Sequence, residues 1–375
     1  MRIAVNARFL LEGRLEGIGR YSYEISKRLV EQHPEDEFVF LFDREYSDDF
    51  VFGKNVIPVV LFPPARHPFL WYLWFEWAVP KALKKYRADV FFSPDGYLSL
   101  RTRVPTLMCI HDLAFVHFPD LISGVVSRFY HYFTPKYLRK AARIVTVSNF
   151  VKNDIQAKYH IPASKISVTP NAAQPEFRPL DADEKVQVKT RFSAGKDYFF
   201  FVGAVHPRKN VHRLIRAFDV FKKQTHSDVQ LLIAGRFAWQ TGEVKDAFEA
   251  SSFQSDIHFL GYVSEADLPG LMGSALAFVW VSLFEGFGIP LLEAMHADVP
   301  VITSSVSAMP EVAGDAALLV NPESCDEIAT AMNSIYSNPE LLINLVSKGR
   351  KQRDKFSWDA SADLIYDLLK QTAGR

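Results

Sequence analysis

Cysteine is scarce in this sequence, because only Cys109 and Cys325 occur among 375 residues. Two isolated thiols predict neither a disulfide framework nor a cysteine metal cluster, and they suit a reducing compartment. An excess of charge of one sign is also missing, since 43 basic side chains are balanced by 43 acidic ones. A balanced chain has no overall field that would collect nucleic acid, so we expect no nucleic-acid partner.

Long apolar runs are absent as well. The longest, around 69–77 and 275–284, are shorter than the roughly 18 residues that a membrane span needs. The N-terminal segment 1–6 enters a strand-like pattern without a signal peptide. We therefore expect a cytoplasmic protein. The aromatic and basic segment 69–87 could contact the inner face of the membrane peripherally, although a core helix with one charged face is the more common explanation.

The sequence does contain a regular alternation of strand and helix patterns. Strands are predicted at 3–5, 37–42, 89–92, 105–110, 144–148, 198–202, 229–234, 257–260, 277–281 and 299–303. Helices are predicted at 21–30, 69–86, 128–142, 211–224, 290–296 and 358–369, and a proline-containing linker at 170–183. This pattern predicts an α/β protein with two doubly wound domains in tandem and a ligand site in the cleft between them.

The most informative stretch follows the predicted strand 277–281. Two glycines, Gly286 and Gly288, lead into a helix opened by Pro290. The first N–H groups of a helix are unpaired and carry its positive end, so an anion can bind there. Glu285 and Glu293 would be ~12 Å apart along a full helix, too far for an acid/base pair on one bond. They suit the two ends of one hydroxyl-rich ligand; two solvated glutamates are the alternative.

A second turn, beginning at Gly203, follows the predicted strand 198–202. It places Arg208 and Lys209 at the start of the predicted helix 211–224. The helix dipole disfavours cations at that end, so we expect an anion such as phosphate beside them. Two solvated cations are the alternative.

Two candidates lie in the N-terminal half. His111 follows the predicted strand 105–110, where a lone histidine is more often structural, and no neighbour stands at metal-ligand spacing. Gly17 and Gly19 open the first helix, but Ser22 breaks the G-x-G-x-x-G pattern. A ligand loop and a plain tight turn therefore both remain open there.

Taken together, these stretches resemble the retaining glycosyltransferases of family 4, which have the GT-B fold of two Rossmann-like domains. The resemblance covers most of the chain and depends on the order and spacing of short motifs. They are the E-x7-E element of Glu285 and Glu293, the Gly17/Gly19 loop, His111-Asp112, Val147-Ser148-Asn149-Phe150, Gly203 with Arg208-Lys209-Asn210, and the segment from Ser305 to Pro310-Glu311-Val312-Ala313-Gly314.

The resemblance implies that residues 1–175 bind the acceptor, 190–355 bind the nucleotide sugar, and 356–375 form a helix packed back on the first domain. Arg208 and Lys209 would hold the diphosphate, and Glu293 the ribose. The implied catalytic residues are His111, Arg208, Lys209 and Glu285, with His111 meeting the sugar from the first domain. The implied donor site comprises Gly17, Gly19, Gly203, Arg208, Lys209, Glu285, Gly286, Phe287, Gly288, Ile289 and Glu293.

The implied reaction is retaining transfer of a mannosyl-type sugar from a nucleotide diphosphate donor to a hydroxyl of a glycan or lipid-linked glycan, in cell-surface polysaccharide or glycolipid assembly. No cofactor or metal is expected. The alternatives are a nucleotide-sugar epimerase of the same fold, a non-catalytic nucleotide-sugar-binding protein and a nicotinamide dehydrogenase. The incomplete glycine fingerprint counts against the dehydrogenase. Asp298 and Ala172 depart from the family by replacing glycines, which concerns backbone turns.

Overall fold

The computed structural model of the protein describes residues 1–13, 15, 17–237 and 242–374. Its internal contacts divide the chain into two compact units. Unit 1 comprises Met1–Asn171 together with the segment that begins at Ser357, and unit 2 comprises Ala172–Phe356. Each unit is built around one continuous parallel sheet, so the predicted α/β class with two doubly wound sheets is confirmed.

In unit 1 the sheet order is β3-β2-β1-β4-β5-β6-β7. The strands are β1 Arg2–Asn6, β2 Glu37–Phe42, β3 Val56–Val60, β4 Val90–Ser93, β5 Thr106–Ile110, β6 Arg143–Thr146 and β7 Ile166–Val168. The order reverses between β1 and β4, and in open α/β sheets ligands bind beyond the carboxyl ends of the strands at such a switch point. The helices are α1 Ile18–Gln32, α2 Pro68–Leu73, α3 Val79–Lys85, α4 Ala114–His117, α5 Gly124–Lys140 and α6 Asn149–Tyr159.

In unit 2 the sheet order is β10-β9-β8-β11-β12-β13, with the switch point between β8 and β11. The strands are β8 Tyr198–Val202, β9 Gln230–Ala234, β10 Ile257–Gly261, β11 Ala277–Trp280, β12 Val301–Ser304 and β13 Ala317–Val320. The helices are α7 Ala182–Ser193, α8 Val211–Thr225, α9 Gly242–Glu249, α10 Leu268–Gly273, α11 Ile289–His296, α12 Met309–Ala313, α13 Cys325–Ser337 and α14 Pro339–Arg353.

The last helix, α15 (Trp358–Thr372), returns to unit 1. Ser357 caps it by accepting a hydrogen bond from the backbone of Ala360. The Asp359 carboxylate lies 2.6 Å from Arg28 Nε of α1, and Ser361 donates to the carbonyl of Pro170 at 2.6 Å. The helix that closes unit 1 is therefore encoded after the whole of unit 2.

The aromatic segment predicted as one helix over 69–86 is helical without a break from Pro68 to Lys85, as α2, a π-helical turn Trp74–Ala78 and α3. Trp74 and Phe75 are fully buried, whereas Trp77 is 57% exposed. The predicted linker 170–183 also ends early, because Asp181 forms a capping box with Glu184 and starts α7. None of the described helices is long and apolar enough to cross a membrane.

Candidate active site

The site in unit 2 forms where the loops after β8 and β11 meet at the switch point. The loop after β8 carries Arg208 and Lys209 in the short 3-10 turn Pro207–Lys209, and the loop after β11 carries Glu285. The backbone N–H of Leu283 donates to the Arg208 carbonyl at 2.9 Å and ties the two loops together. Adjacent central strands thus bring together charges that are far apart in the sequence.

Three of these charges form a compact group, the Arg208–Lys209–Glu285 cluster. Lys209 Nζ lies 2.6 Å from Glu285 Oε1, and Arg208 Nη1 lies 3.3 Å from Glu285 Oε2. Glu285 is only 7% exposed, and burial alone would raise the pKa of its carboxyl. Attraction to Lys209 and Arg208 outweighs that effect and lowers the pKa to about 2, so the carboxylate stays ionised.

The cluster corrects the electrostatic argument made from the sequence. Arg208 and Lys209 precede α8, which begins at Val211 as predicted, and Asn210 in a left-handed conformation separates them from that helix. The anion beside them in the structure is the Glu285 carboxylate. Their binding of a diphosphate stays a prediction.

Trp280, the last residue of β11, completes the cluster and was not among the predicted site residues. Its indole Nε1 donates to Glu285 Oε1 at 3.3 Å, and Lys209 Nζ lies 4.3 Å from the ring centroid. The side chain is 4% exposed, so the ring forms a fixed wall. The sequence contained one signal for Trp280: it is an aromatic residue at a strand end, five positions before the motif glutamate Glu285.

The glycine turn after Glu285 has the geometry that an anion site needs. Gly288 has φ 100°, and a Cβ there would lie 2.7 Å from Met309 Cε, so only glycine fits without a shift. As the residue before α11 it has no side chain to accept the first N–H groups of that helix. The predicted helix start at Pro290 would place Glu293 in the first turn of the helix. Because α11 starts at Ile289, Glu293 lies in the second turn instead, and its side chain is 6% exposed.

Two further residues of the predicted donor turn, Phe287 and Ile289, differ in their surroundings. Phe287 is 5% exposed and packs edge to face on Phe356, with ring centroids 5.6 Å apart. Ile289 is half-buried and begins α11, and Gly286 is buried. Phe287 therefore anchors the turn.

Two glycines, of which only one was predicted from the sequence, let the loops after β8 and β9 approach each other closely. A Cβ at Gly235 would lie 1.9 Å from the carbonyl oxygen of Gly203. Gly203 was among the predicted donor residues, whereas Gly235 was missed. Both are glycines that directly follow a buried apolar strand, so the same signal marked each.

In unit 1, His111 follows β5 and is half-buried. Its Nε2 lies 2.7 Å from the carbonyl oxygen of Pro94, and its ring meets the Tyr21 ring edge to face with centroids 4.7 Å apart. Burial lowers the pKa of the imidazole, despite the opposing effects of Pro94, Asp112 and Asp95. The side chain is therefore neutral at neutral pH.

The other predicted residues of unit 1 are Gly17 and Gly19, which open α1. Tyr21 N donates to the Gly17 carbonyl at 3.0 Å, so this turn fixes the position of Tyr21 in the first turn of α1. The neighbouring Glu16 lies outside the described residues. Gly17, Gly19 and His111 thus belong to unit 1, and the remaining predicted site residues belong to unit 2.

Within the described ranges, no group of three or more His, Cys, Asp or Glu side chains is arranged to hold a metal ion. The charges in the described part of the site include those of the Arg208–Lys209–Glu285 cluster, the Glu293 carboxylate and the partial positive charge at the N-terminal end of α11.

Sequence models of two protein families match the chain, one in each half. Residues 15–177 match Glycosyltransferase Family 4, and residues 182–352 match Glycosyl transferases group 1. The chain is 29% identical to O-antigen chain mannosyltransferase B of Escherichia coli, over 92% of this chain and 93% of that protein. It is 25% identical to O-antigen chain mannosyltransferase RfbU of Salmonella typhimurium, over 95% of this chain and 97% of that protein.

Among solved structures, HepE of Anabaena in complex with UDP and glucose superposes with a TM-score of 0.77. The match covers 99% of this chain and 100% of HepE at 16% identity. At that identity the likeness concerns the fold alone.

Proposed function

We propose that this glycosyltransferase, which has the GT-B fold, transfers a mannosyl-type sugar from a nucleoside diphosphate donor to a hydroxyl of a growing surface glycan. The curated relatives named above as mannosyltransferases of O-antigen chains support this choice of sugar and acceptor. The crystal structure of HepE with UDP and glucose supports a nucleotide-sugar donor. The structural observation that carries the proposal is the Arg208–Lys209–Glu285 cluster at the switch point of unit 2.

The cluster has the charge that a diphosphate requires. Two cations and one carboxylate leave a net charge of one positive unit, and the N-terminus of α11 adds its partial positive charge. Arg208 and Lys209 donate charge-assisted hydrogen bonds to the phosphate oxygens. The same donors stabilise the negative charge that grows on the leaving diphosphate as the glycosidic bond breaks, which lowers the barrier.

The two glutamates and His111 act on other parts of the donor. Glu293 accepts from the ribose hydroxyls, Glu285 from the hydroxyls of the sugar, and His111 meets the sugar as well. The carboxylate of Glu285 is ionised and therefore only accepts hydrogen bonds. It also stabilises positive charge on the sugar ring as the oxocarbenium ion develops.

Transfer proceeds with retention and needs no nucleophilic side chain. The bond between the anomeric carbon and the phosphate oxygen breaks, and the acceptor oxygen attacks the face that the phosphate vacates. The acceptor's proton passes to an oxygen of the departing diphosphate. The reaction is metal-independent, because Arg208, Lys209 and the start of α11 supply the positive charge.

A lipid-linked acceptor would bring the enzyme to a membrane surface, and unit 1 has a face that fits one. Phe69 and Trp77 are 63% and 57% exposed on the α2–α3 segment. The exposed lysines Lys81, Lys84 and Lys85 follow on α3. Aromatic rings beside basic groups suit an anionic interface, so this segment is the proposed peripheral contact.

Thermal-shift measurements with UDP, GDP, ADP and their sugars, followed by turnover of the stabilising donor, test this function. A ligand at 100 times its dissociation constant stabilises the fold by about 2.7 kcal/mol. We expect one nucleotide to dominate, and NMR of the product to show the donor's anomeric configuration. Interconversion of the sugar without an acceptor would show an epimerase instead, and stabilisation without turnover would show a binding protein.

A further inference from the structure

Trp280 is held in one orientation by three adjacent strands of unit 2. It ends β11 and is 4% exposed. Its carbonyl accepts from Thr303 Oγ1 of β12 at 2.8 Å, and its ring packs on the Phe201 ring of β8 with centroids 5.8 Å apart. A Cβ at Gly203, in the loop after β8, would lie 3.8 Å from the Cη2 atom of the indole. The indole therefore has a fixed place beside the loop that carries Lys209.

The indole presents a different surface to each member of an ion pair. Its Nε1–H donates to Glu285 Oε1 at 3.3 Å, whereas its face lies toward the Lys209 ammonium, 4.3 Å from the ring centroid. The edge of an aromatic ring is electropositive, its face is electronegative, and the indole N–H is only a donor. Lys209 Nζ and Glu285 Oε1 are 2.6 Å apart. One neutral side chain thus complements both charges of the pair.

The backbone of Glu285 is fixed independently of Trp280. Ser307 Oγ accepts from the Glu285 N–H at 3.1 Å, and the Glu285 carbonyl accepts from Ala308 N at 3.3 Å. Ser307 adopts a left-handed conformation, φ 59°, which is uncommon for a residue with a side chain. The loop after β12 therefore sets the position of the Glu285 backbone, and the contact with Trp280 bears on the direction of its carboxylate.

The proposed reaction requires this ion pair to open. The side chains of Lys209 and Glu285 are 15% and 10% exposed, so water can replace few of the contacts that they lose. A carboxylate that loses its partner in such a place is costly. Both cations that contact Glu285 are proposed to bind the diphosphate, whereas the Trp280 N–H keeps its direction toward the carboxylate.

We propose that Trp280 is a positioning residue for sugar transfer: its N–H holds the Glu285 carboxylate toward the sugar, and its face holds Lys209, while the donor diphosphate separates the two charges. The proposal rests on the proposed function, in which Glu285 meets the sugar and Lys209 the diphosphate. It adds a neutral group that stays with both ions when their mutual contact is lost. Because Trp280 acts through these ions, its N–H and its ring should affect turnover and donor binding separately.

Nitrogen-15 NMR of the full chain labelled at tryptophan tests the N–H contact without any donor. The six tryptophans give six indole signals, each assigned by its loss in a single Trp→Phe variant. Removing the charge of an acceptor changes the resonance of its donor, so Glu285→Gln should shift the Trp280 signal. Trp358 is the matched control, because it is also 4% exposed and belongs to unit 1. An unchanged Trp280 signal, or an equal shift of Trp358, would overturn the proposal.

The same signal reports whether the contact survives donor binding. UDP and GDP are added in turn to the full chain, and the spectrum is recorded with the nucleotide that stabilises the fold. We expect the Trp280 signal to stay near its position in the free protein, because the N–H keeps its acceptor. A move to the position found in Glu285→Gln would show that the indole has released the carboxylate, which contradicts the proposal.

Two substitutions of Trp280 separate the N–H from the ring. Trp280→Phe keeps an aromatic face for Lys209 but lacks the N–H. We expect its kcat to fall about tenfold, the scale of one lost hydrogen bond to a charged group, with little change in the donor KM. Trp280→Leu lacks both groups, so its donor KM should also rise severalfold. The same kcat and the same KM in both variants would refute the separate roles of N–H and ring.

A substitution elsewhere in unit 2 controls for general loss of stability. Phe218 is a fully buried aromatic residue on α8. Phe218→Leu should lower the melting temperature as the Trp280 variants do, yet leave kcat and the donor KM unchanged. A tenfold lower kcat in this control would count against a positioning role. If the wild type transfers no sugar, the proposed function fails, while the NMR shift in Glu285→Gln still decides whether the indole holds the carboxylate.

Discussion

The Lys209 ammonium lies 2.6 Å from a carboxylate oxygen of Glu285 and 4.3 Å from the centroid of the Trp280 ring. The cation that is proposed to bind phosphate therefore already has a counter-ion in the protein. A diphosphate must share Lys209 with Glu285 or replace it. Donor affinity then depends on the carboxylate as well as on the two cations.

Replacing either cation should weaken binding of a nucleoside diphosphate far more than binding of the nucleoside. Arg208→Ala and Lys209→Ala each remove a charge-assisted contact worth roughly 1.5–3 kcal/mol. Lys223→Ala is the control, because that lysine lies 61% exposed on α8 of the same unit. Calorimetry should show both losses only for the diphosphate; equal losses for the nucleoside would exclude the phosphate role.

Ionisation of Glu285 should make the free energy of unfolding depend on pH in the acid range. Its pKa is lowered from an ordinary value of 4.5 to about 2, so its contribution is complete above pH 4.5 and disappears as the pH falls to about 2. Near neutral pH we expect Glu285→Gln to cost up to about 3 kcal/mol. Urea unfolding between pH 2 and 5 checks this: the difference from wild type should shrink on acidification, and a constant difference would contradict it.

Substitutions of the two glutamates of the E-x7-E element should cause different kinetic defects. Glu293→Gln acts through the nucleotide and should mainly raise the donor KM. Glu285→Gln acts on the sugar and should lower kcat, since an interaction made mainly in the transition state affects turnover. Steady-state kinetics should show these separate defects, and EDTA should leave wild-type activity intact. Identical defects, or activity restored only by a divalent ion, would refute this division.

The tryptophans of the aromatic segment should separate into structural and surface residues. Trp74 is fully buried, so Trp74→Ala should cost roughly 3–5 kcal/mol and lower the melting temperature. Trp77 is 57% exposed and stacks under Arg101 at 4.0 Å, so Trp77→Ala should leave the melting temperature almost unchanged.

The same variants test the proposed membrane contact by sedimentation with anionic liposomes. Trp77→Ala should reduce binding, whereas Tyr262→Ala should not, although that residue of unit 2 is 61% exposed. Equal binding by the wild type and Trp77→Ala would remove this segment from the proposed contact.

The sequence predicted the central strands well because those strands are apolar on both faces. The predicted ranges 37–42 and 198–202 match β2 and β8 residue for residue. The strands β3, β7 and β13 were missed for physical reasons: Pro58 interrupts β3, and β7 and β13, with three and four residues, are too short to show a periodic pattern. Edge strands depend on their neighbours more than on their own composition.

The candidate site was predictable residue by residue but not as an arrangement. Motif spacing identified Glu285, Arg208 and Lys209, yet their mutual ion pairs depend on the register of β8 beside β11. Asp298 shows the same limit. As the departure from glycine suggested, it adopts a left-handed conformation, φ 56°, but only the fold shows its pairing with Arg350 and Arg353.

The return of α15 to unit 1 has a consequence for biosynthesis. Trp358 packs against Tyr21, so the ribosome must translate all of Ala172–Phe356 before unit 1 receives its last helix. Unit 2 is continuous and can fold as it emerges, whereas unit 1 must wait with the α15-facing side of α1 uncovered. A nascent chain of this protein therefore completes its second unit before its first, and a premature stop near Ser357 leaves an apolar surface for chaperones to recognise.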